Sequence, residues 1–98
     1  MLAVADLGRF LAQRGLREGN KTDVADGETL LGRALGLDQN CATAHAGLGE
    51  VALKRGDRGG AQKHLDRAAA ADPNAAAVRR LGELIRDKKG RRSSGVHM

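Results

Sequence analysis

The chain has 98 residues, of which 41% are hydrophobic and 30% charged, with a formal net charge of +5; this is the composition of one small globular domain. Phe10 is the only aromatic residue, so the core must consist of Leu, Val and Ala, which favours close-packed helices over a sheet. No apolar run is long enough for a transmembrane helix, the first 15 residues lack the apolar stretch of a secretory signal, and the single Cys41 excludes an internal disulfide.

The positive charge is concentrated at the C-terminal end. Residues 86–98 contain five basic side chains and one acidic one, which leaves a net charge of only +1 for residues 1–85. A nucleic-acid surface needs basic residues clustered on a folded face, often with stacking aromatics. We therefore expect neither a nucleic-acid nor a membrane partner. We interpret residues 90–98 as a basic disordered tail whose last residues resemble vector-derived sequence, with contact to a phosphate or an acidic partner as the alternative.

Two kinds of segment alternate along the chain. The first kind has a leucine-glycine pair followed by a charged residue and occurs at residues 7–9, 48–50 and 81–83. The second kind occurs at residues 31–39 and again at residues 65–73. Apolar residues in each segment recur at spacings of three and four, which predicts five helices with one buried stripe each. In the first helix the predicted buried residues are Val4, Leu7, Phe10 and Leu11.

Glycines inside the predicted helices indicate close helix crossings. Gly8, Gly49 and Gly82 each follow a leucine. Glycine in a helix interior costs about 1 kcal/mol relative to alanine, and a helix accepts this where another backbone approaches closely. We therefore expect each of the three glycines to contact a neighbouring helix.

These residues resemble the tetratricopeptide repeat, a family that stacks helix pairs of about 34 residues. Residues 42–75 match its pattern at Leu48, Gly49, Ala61, Leu65, Ala68 and the closing Asp72-Pro73 turn. Residues 1–41 match more loosely, with a longer turn near Leu16–Val24. The resemblance implies an all-α fold, a five-helix right-handed α-solenoid of antiparallel helix hairpins. Its domain would span residues 1–89, with repeat 1 over about 1–41, repeat 2 over about 42–75 and a capping helix over about 74–89.

The resemblance also implies a binding site, because the first helix of each pair in this family lines a concave groove that takes partner peptides. The matching candidates here are Arg9, Gln13, Thr43, Glu50, Lys54, Arg79, Glu83 and Arg86. The same positions include Ala5, Ala12, Ala46, Leu53 and Asp87. This groove is mixed in charge, and it lacks the Lys, Asn and Arg set with which some members bind chaperone tails. The alternative is that these charges only solvate helix surfaces, with Glu50 and Lys54 paired along one helix.

No group of residues indicates catalysis, a cofactor or a metal. Cys41 and His45 lie four apart on one predicted helix, but two ligands make a poor metal site. A Cys–His nucleophile needs an orienting residue and a pocket, and the spacing supplies neither. We therefore expect a non-enzymatic protein without a cofactor, in a cytoplasmic setting.

Two functions from different classes fit these features. The first is a protein–protein interaction module that binds a peptide or partner surface in the groove. The second is a self-assembly element whose open helix faces stack into a homo-oligomer. The sequence does not identify the partner.

Overall fold

The computed structural model describes residues 3–97, with side chains described for residues 3–87. The chain forms α1 (Val4–Glu18), α2 (Lys21–Leu37), α3 (Ala42–Lys54), α4 (Arg58–Ala71) and α5 (Ala76–His97). No β-strand occurs over residues 3–97, and the predicted all-α fold of five helices is confirmed. α1 pairs with α2, α3 pairs with α4, and α5 packs against α3 and α4. Within the described part of the chain, no helix combines the length and apolarity needed to cross a bilayer.

α3 is the central helix, because it packs against all four others. Nine of its 13 residues are buried. Two glycines allow this: a Cβ atom on Gly47 would lie 2.9 Å from Cδ1 of Leu31, and one on Gly49 would collide with Cδ2 of Leu81. Leu31 of α2 and Leu81 of α5 are fully buried. The predicted close crossing at Gly49 is therefore confirmed, and α3 is held between one leucine from each side.

The core consists of two clusters of small and aliphatic side chains, one on each side of α3. The cluster between α1, α2 and α3 contains Ala5, Ala12, Val24, Leu31, Ala34, Ala44 and Val51. The cluster between α3, α4 and α5 contains Ala42, Ala46, Ala68, Ala77, Val78 and Leu81. The prediction of a Leu, Val and Ala core is confirmed, since neither cluster includes an aromatic side chain.

α1 packs against α2 through small residues instead of the large ones that the sequence predicts. The buried residues of α1 are Ala5, Gly8, Ala12 and Gly15. A Cβ atom on Gly27 of α2 would lie 2.6 Å from the amide nitrogen of Ala12 and from the carbonyl oxygen of Gly8, so the two backbones touch at this crossing, as expected for Gly8. Large side chains do not fit there and lie on the opposite side of α1. The predicted burial is therefore wrong for Val4, Leu7, Phe10 and Leu11, which are exposed or half-exposed.

The first hairpin turns at Gly19 and Asn20, so the longer loop predicted near Leu16–Val24 is wrong. Gly19 has a φ of 71°, the left-handed conformation that favours glycine at the end of a helix. The Asn20 side chain then caps α2 by accepting the backbone N–H of Asp23 at 3.1 Å. The additional residues of the first hairpin lengthen its helices, which have 15 and 17 residues against 13 and 14 in α3 and α4.

The turns that follow α2 and α4 have the same structure and lie 34 residues apart. The side chain of Asp38 accepts the backbone N–H of Asn40 at 2.9 Å, and that of Asp72 accepts the backbone N–H of Asn74 at 3.1 Å. The two aspartates also share their backbone conformation, with φ of −151° and −157°. Each position of α3 therefore corresponds to the position 34 residues later in α5.

α5 differs from the prediction at its end and at its glycine. Its backbone continues to His97, where the sequence predicts a helix end near residue 89; the side chains of the basic tail predicted over residues 90–98 lie outside the described residues. A Cβ atom on Gly82 would meet nothing within 4 Å, so the close crossing predicted there is wrong. The 34-residue register explains this difference, because it matches Gly82 with Leu48 and not with Gly49.

Candidate binding groove

A groove of about 540 Å³ runs between α1, α3 and α5. Each of the three helices contributes residues three or four positions apart, which places them on one helix face. α1 contributes Arg9, Gln13, Leu16 and Arg17; α3 contributes Glu50, Leu53 and Lys54; and α5 contributes Arg80, Leu84 and Asp87. Positions in α1 and α3 correspond at an offset of 37 residues, and those in α3 and α5 at an offset of 34.

The floor of the groove is apolar. Leu16, Leu53 and Leu84 each come from a different helix and line the same space. Leu53 is buried, with 4% of its surface exposed, while Leu16 and Leu84 are half-buried. Three leucines next to one another at the base of an open groove can receive an apolar side chain of a partner.

One wall of the groove is a hydrogen-bonded cluster around Glu50. The guanidinium of Arg9 donates to Oε1 of Glu50 from Nε at 3.3 Å and from Nη2 at 3.2 Å. The side-chain amide of Gln13 donates to Oε2 at 3.0 Å. Both carboxylate oxygens of Glu50 are therefore bound by α1, and the alternative in which Glu50 pairs with Lys54 along the helix is wrong.

The rim of the groove is basic. Arg17, Lys54 and Arg80 line it from α1, α3 and α5. Among residues 3–87 the ion pairs are Arg9–Glu50, Arg14–Asp23 and Arg55–Glu28, and none of them includes these three cations. Asp87 is the other acidic residue of the lining. Since Arg9 offsets the charge of Glu50, the groove presents three cations against one carboxylate.

The groove includes half of the eight candidates that the sequence predicts. It contains Arg9, Gln13, Glu50 and Lys54, and of the accompanying positions Leu53 and Asp87. It does not contain Thr43, Arg79, Glu83 or Arg86. Thr43 is half-buried in the first turn of α3, and the other three are exposed on α5 outside the groove.

Three lining residues were not among the predicted positions: Arg17, Arg80 and Leu84. The sequence contains a signal for the two on α5, because the repeated Asp-x-Asn turn fixes the 34-residue register. This register assigns Leu84 to the position of Glu50 and Asp87 to that of Leu53. The Leu-Gly pair at Leu81, which suggested a register one residue different, is not in the equivalent position.

A second polar cluster joins α3 to α4 away from the groove. Nε2 of buried His45 lies 3.0 Å from the carbonyl oxygen of Gln39 and therefore donates to it, while Nδ1 lies 3.4 Å from Nδ1 of His64. His64 is half-buried. Burial, the neighbouring His45 and Arg67 lower the pKa of His64, and Asp57 opposes them in part. Within the described residues, no three potential ligands among His, Cys, Asp and Glu lie together as a metal site.

The comparison with protein families gives a single family. The model of the tetratricopeptide repeat matches residues 20–85, which is more than half of the chain. The chain belongs to the tetratricopeptide-repeat family. Neither the curated proteins nor the solved structures give a significant match. Tetratricopeptide repeats are general protein–protein interaction modules, and the groove lies on the first-helix positions of this repeat fold.

Proposed function

We propose that this tetratricopeptide-repeat domain is a non-enzymatic interaction module that binds a peptide segment of another protein along the groove between α1, α3 and α5. The groove is open, and residues from all three helices line it. Its polar wall is already formed, because Arg9 and Gln13 hold the carboxylate of Glu50. A preformed wall lowers the cost of ordering side chains when a peptide binds.

The observation that supports a particular peptide chemistry is the ring of cations around an apolar floor. Leu16, Leu53 and Leu84 offer contact to an aliphatic or aromatic side chain. Arg17 and Lys54 at the rim favour acidic groups on either side of that anchor. We therefore propose a partner segment with a large apolar residue flanked by aspartate or glutamate.

A direct test selects ligands from a random peptide library displayed on phage, with the full chain immobilised. We expect the enriched peptides to combine an apolar residue with neighbouring acidic residues. One enriched peptide, labelled with a fluorophore, is then titrated with the protein and its variants. We expect Arg80→Glu, which reverses a charge in the groove, to weaken binding about tenfold, the equivalent of roughly 1.4 kcal/mol.

The matched control is Arg79→Glu, the same charge reversal at the adjacent residue of α5. Arg79 is exposed and outside the groove lining, so this variant changes the net charge equally without altering the groove. We expect it to leave the affinity within about twofold of the original at physiological salt, where charges further apart than roughly 8 Å are screened. Equal losses in the two variants, or selected peptides without acidic residues, would contradict the proposed site.

A further inference from the structure

The outer face of α1, defined as Val4, Leu7, Phe10 and Leu11, is an apolar surface without a partner among the described residues. The exposed fractions of Val4, Leu7 and Phe10 are 37%, 39% and 53%, and Leu11 is half-exposed. The guanidinium of Arg14 lies 5.8 Å from the centroid of the Phe10 ring and covers one side of it. Adjacent large apolar side chains on one exposed helix face are typical of an interaction surface.

The correspondence between α1 and α3 shows what kind of surface this is. Three pairs of groove residues define the offset of 37 residues, namely Gln13 with Glu50, Leu16 with Leu53 and Arg17 with Lys54. The same offset matches Phe10 with Gly47 and Leu7 with Ala44. Gly47 packs directly against Leu31 of α2, and Ala44 belongs to the same buried cluster as Leu31. The outer face of α1 thus lies at the positions by which α3 packs against another helix.

The opposite end of the stack has a different character. The outer face of α5, defined as Arg79, Glu83 and Arg86, is exposed. These residues correspond, at the offset of 34, to His45, Gly49 and Ala52 of α3. His45 and Gly49 contact His64 of α4, so the charges of α5 occupy positions that pack against a helix in α3. Burying them against an apolar surface would remove charges from water without partners, which is costly.

This difference between the two ends determines which contact between copies is favourable. A head-to-tail contact would set the apolar face of α1 against the charged face of α5. A two-fold contact sets the apolar face of α1 against itself, and such an isologous contact closes after two copies. The apolar residues are also arranged symmetrically about Leu7, with Val4 three positions before it and Phe10 three positions after it. An antiparallel pair of α1 helices centred on Leu7 therefore opposes Val4 with Phe10 of the second copy.

We propose that the outer face of α1 binds the same face of a second copy of this chain, forming a two-fold dimer with antiparallel α1 helices. α1 has 15 residues and is about 22 Å long at 1.5 Å per residue. A contact of this length is smaller than the roughly 800 Å² per partner of a standard interface, which indicates a reversible dimer. Arg9 and Gln13 point away from Leu7 around the helix, so both grooves stay accessible in the dimer.

Sedimentation equilibrium of the full chain over a wide concentration range tests this proposal. We expect the apparent mass to rise from 10.3 kDa towards twice that value and no further. The variant Leu7→Glu places a charge at the centre of the contact, and we expect it to remain a monomer at every concentration. Because Leu7 is partly exposed, we expect its circular-dichroism spectrum to match that of the original chain. The control Glu83→Ala with Arg86→Ala alters the outer face of α5, and we expect it to dimerise as before.

A cross-link gives a second readout that does not depend on tolerating a charge in α1. In a Cys41→Ser background, Leu7→Cys places one thiol next to the two-fold axis, where it meets its own copy within the short distance that a disulfide requires. We expect this variant to form a covalent dimer on mild oxidation, whereas Arg86→Cys in the same background does not. A chain that is monomeric throughout, assemblies larger than a dimer, or cross-linking only through residue 86 would overturn the proposal.

Discussion

Arg9 of α1 and Glu50 of α3 form an ion pair of 3.2 Å in the wall of the groove, with side-chain exposures of 22% and 6%. Gln13 binds the second carboxylate oxygen at 3.0 Å. Because Glu50 is almost completely buried, water cannot replace these donors. The pair therefore fixes α1 against α3 as well as shaping the groove.

We predict that Arg9→Ala lowers the free energy of unfolding by about 1–3 kcal/mol, because it leaves a buried carboxylate without its charged partner. The control is Arg55→Ala, which breaks the pair with Glu28. That pair is more exposed, at 57% and 30%, so its loss costs less. Urea denaturation of the three proteins measures the difference. Equal losses for the two arginine variants would contradict the importance assigned to the Glu50 cluster.

Two glycines of α2 allow a matched test of the close crossing with α1. A Cβ atom on Gly27 would lie 2.6 Å from backbone atoms of Ala12 and Gly8, whereas one on Gly32 would meet nothing within 4 Å. We predict that Gly27→Ala forces the helices apart and costs about 1–3 kcal/mol. Gly32→Ala should instead stabilise the helix by about 1 kcal/mol through its higher helix propensity. Thermal unfolding followed by circular dichroism distinguishes them, and two shifts of the same sign would disprove the crossing.

The sequence predicts the helices better than it predicts which side of each helix faces the core. Apolar spacing and the Gly56-Asp57 turn are sufficient for the order of five helices, and the structure confirms the turn, with a φ of 85° at Gly56 and the Asp57 side chain accepting the N–H of Gly60 at 2.9 Å. In α1, however, large apolar residues and small residues form two separate stripes. The crossing at Gly27 selects the small stripe, and spacing within α1 alone cannot show this.

Half of the groove was predictable for a similar reason. The candidates on α1 and α3 hold where the local pattern fixes the helix face, as for Gln13 and Glu50. On α5 the Leu81-Gly82 pair imitates Leu48-Gly49 but lies one residue out of register. A one-residue change rotates a side chain by about 100° around a helix, which moves the predicted residues from the groove to the outer face. The Asp72 turn gives the correct register.

The corrected register predicts opposite effects of alanine at two glycines that look alike in sequence. Gly82 has no neighbour within 4 Å of a Cβ atom, whereas Gly49 is covered by the fully buried Leu81. We predict that Gly82→Ala stabilises the chain by about 1 kcal/mol, while Gly49→Ala displaces Leu81 and destabilises it by about 1–3 kcal/mol. Chemical denaturation gives both values. Destabilisation by Gly82→Ala would restore the register in which the two glycines are equivalent.

The contact between His45 and His64 makes stability depend on pH. Nε2 of His45 donates to the carbonyl oxygen of Gln39, so Nδ1 of the neutral ring accepts from Nδ1 of His64. Burial, followed by the nearby His45 and Arg67, lowers the pKa of His64 below its ordinary value of 6.5, although Asp57 acts in the opposite direction. The folded state therefore binds fewer protons than the unfolded state in this range, and stability falls as the pH falls.

We predict that the free energy of unfolding decreases as the pH is lowered from about 8 to about 5, with the loss beginning near the unfolded-state pKa of 6.5. His64→Gln keeps a polar side chain of similar length but cannot titrate, so its stability should change less over the same range. Urea denaturation at several pH values measures both proteins. If the original chain and His64→Gln lost stability in parallel, the titration would belong to another group and not to the contact between α3 and α4.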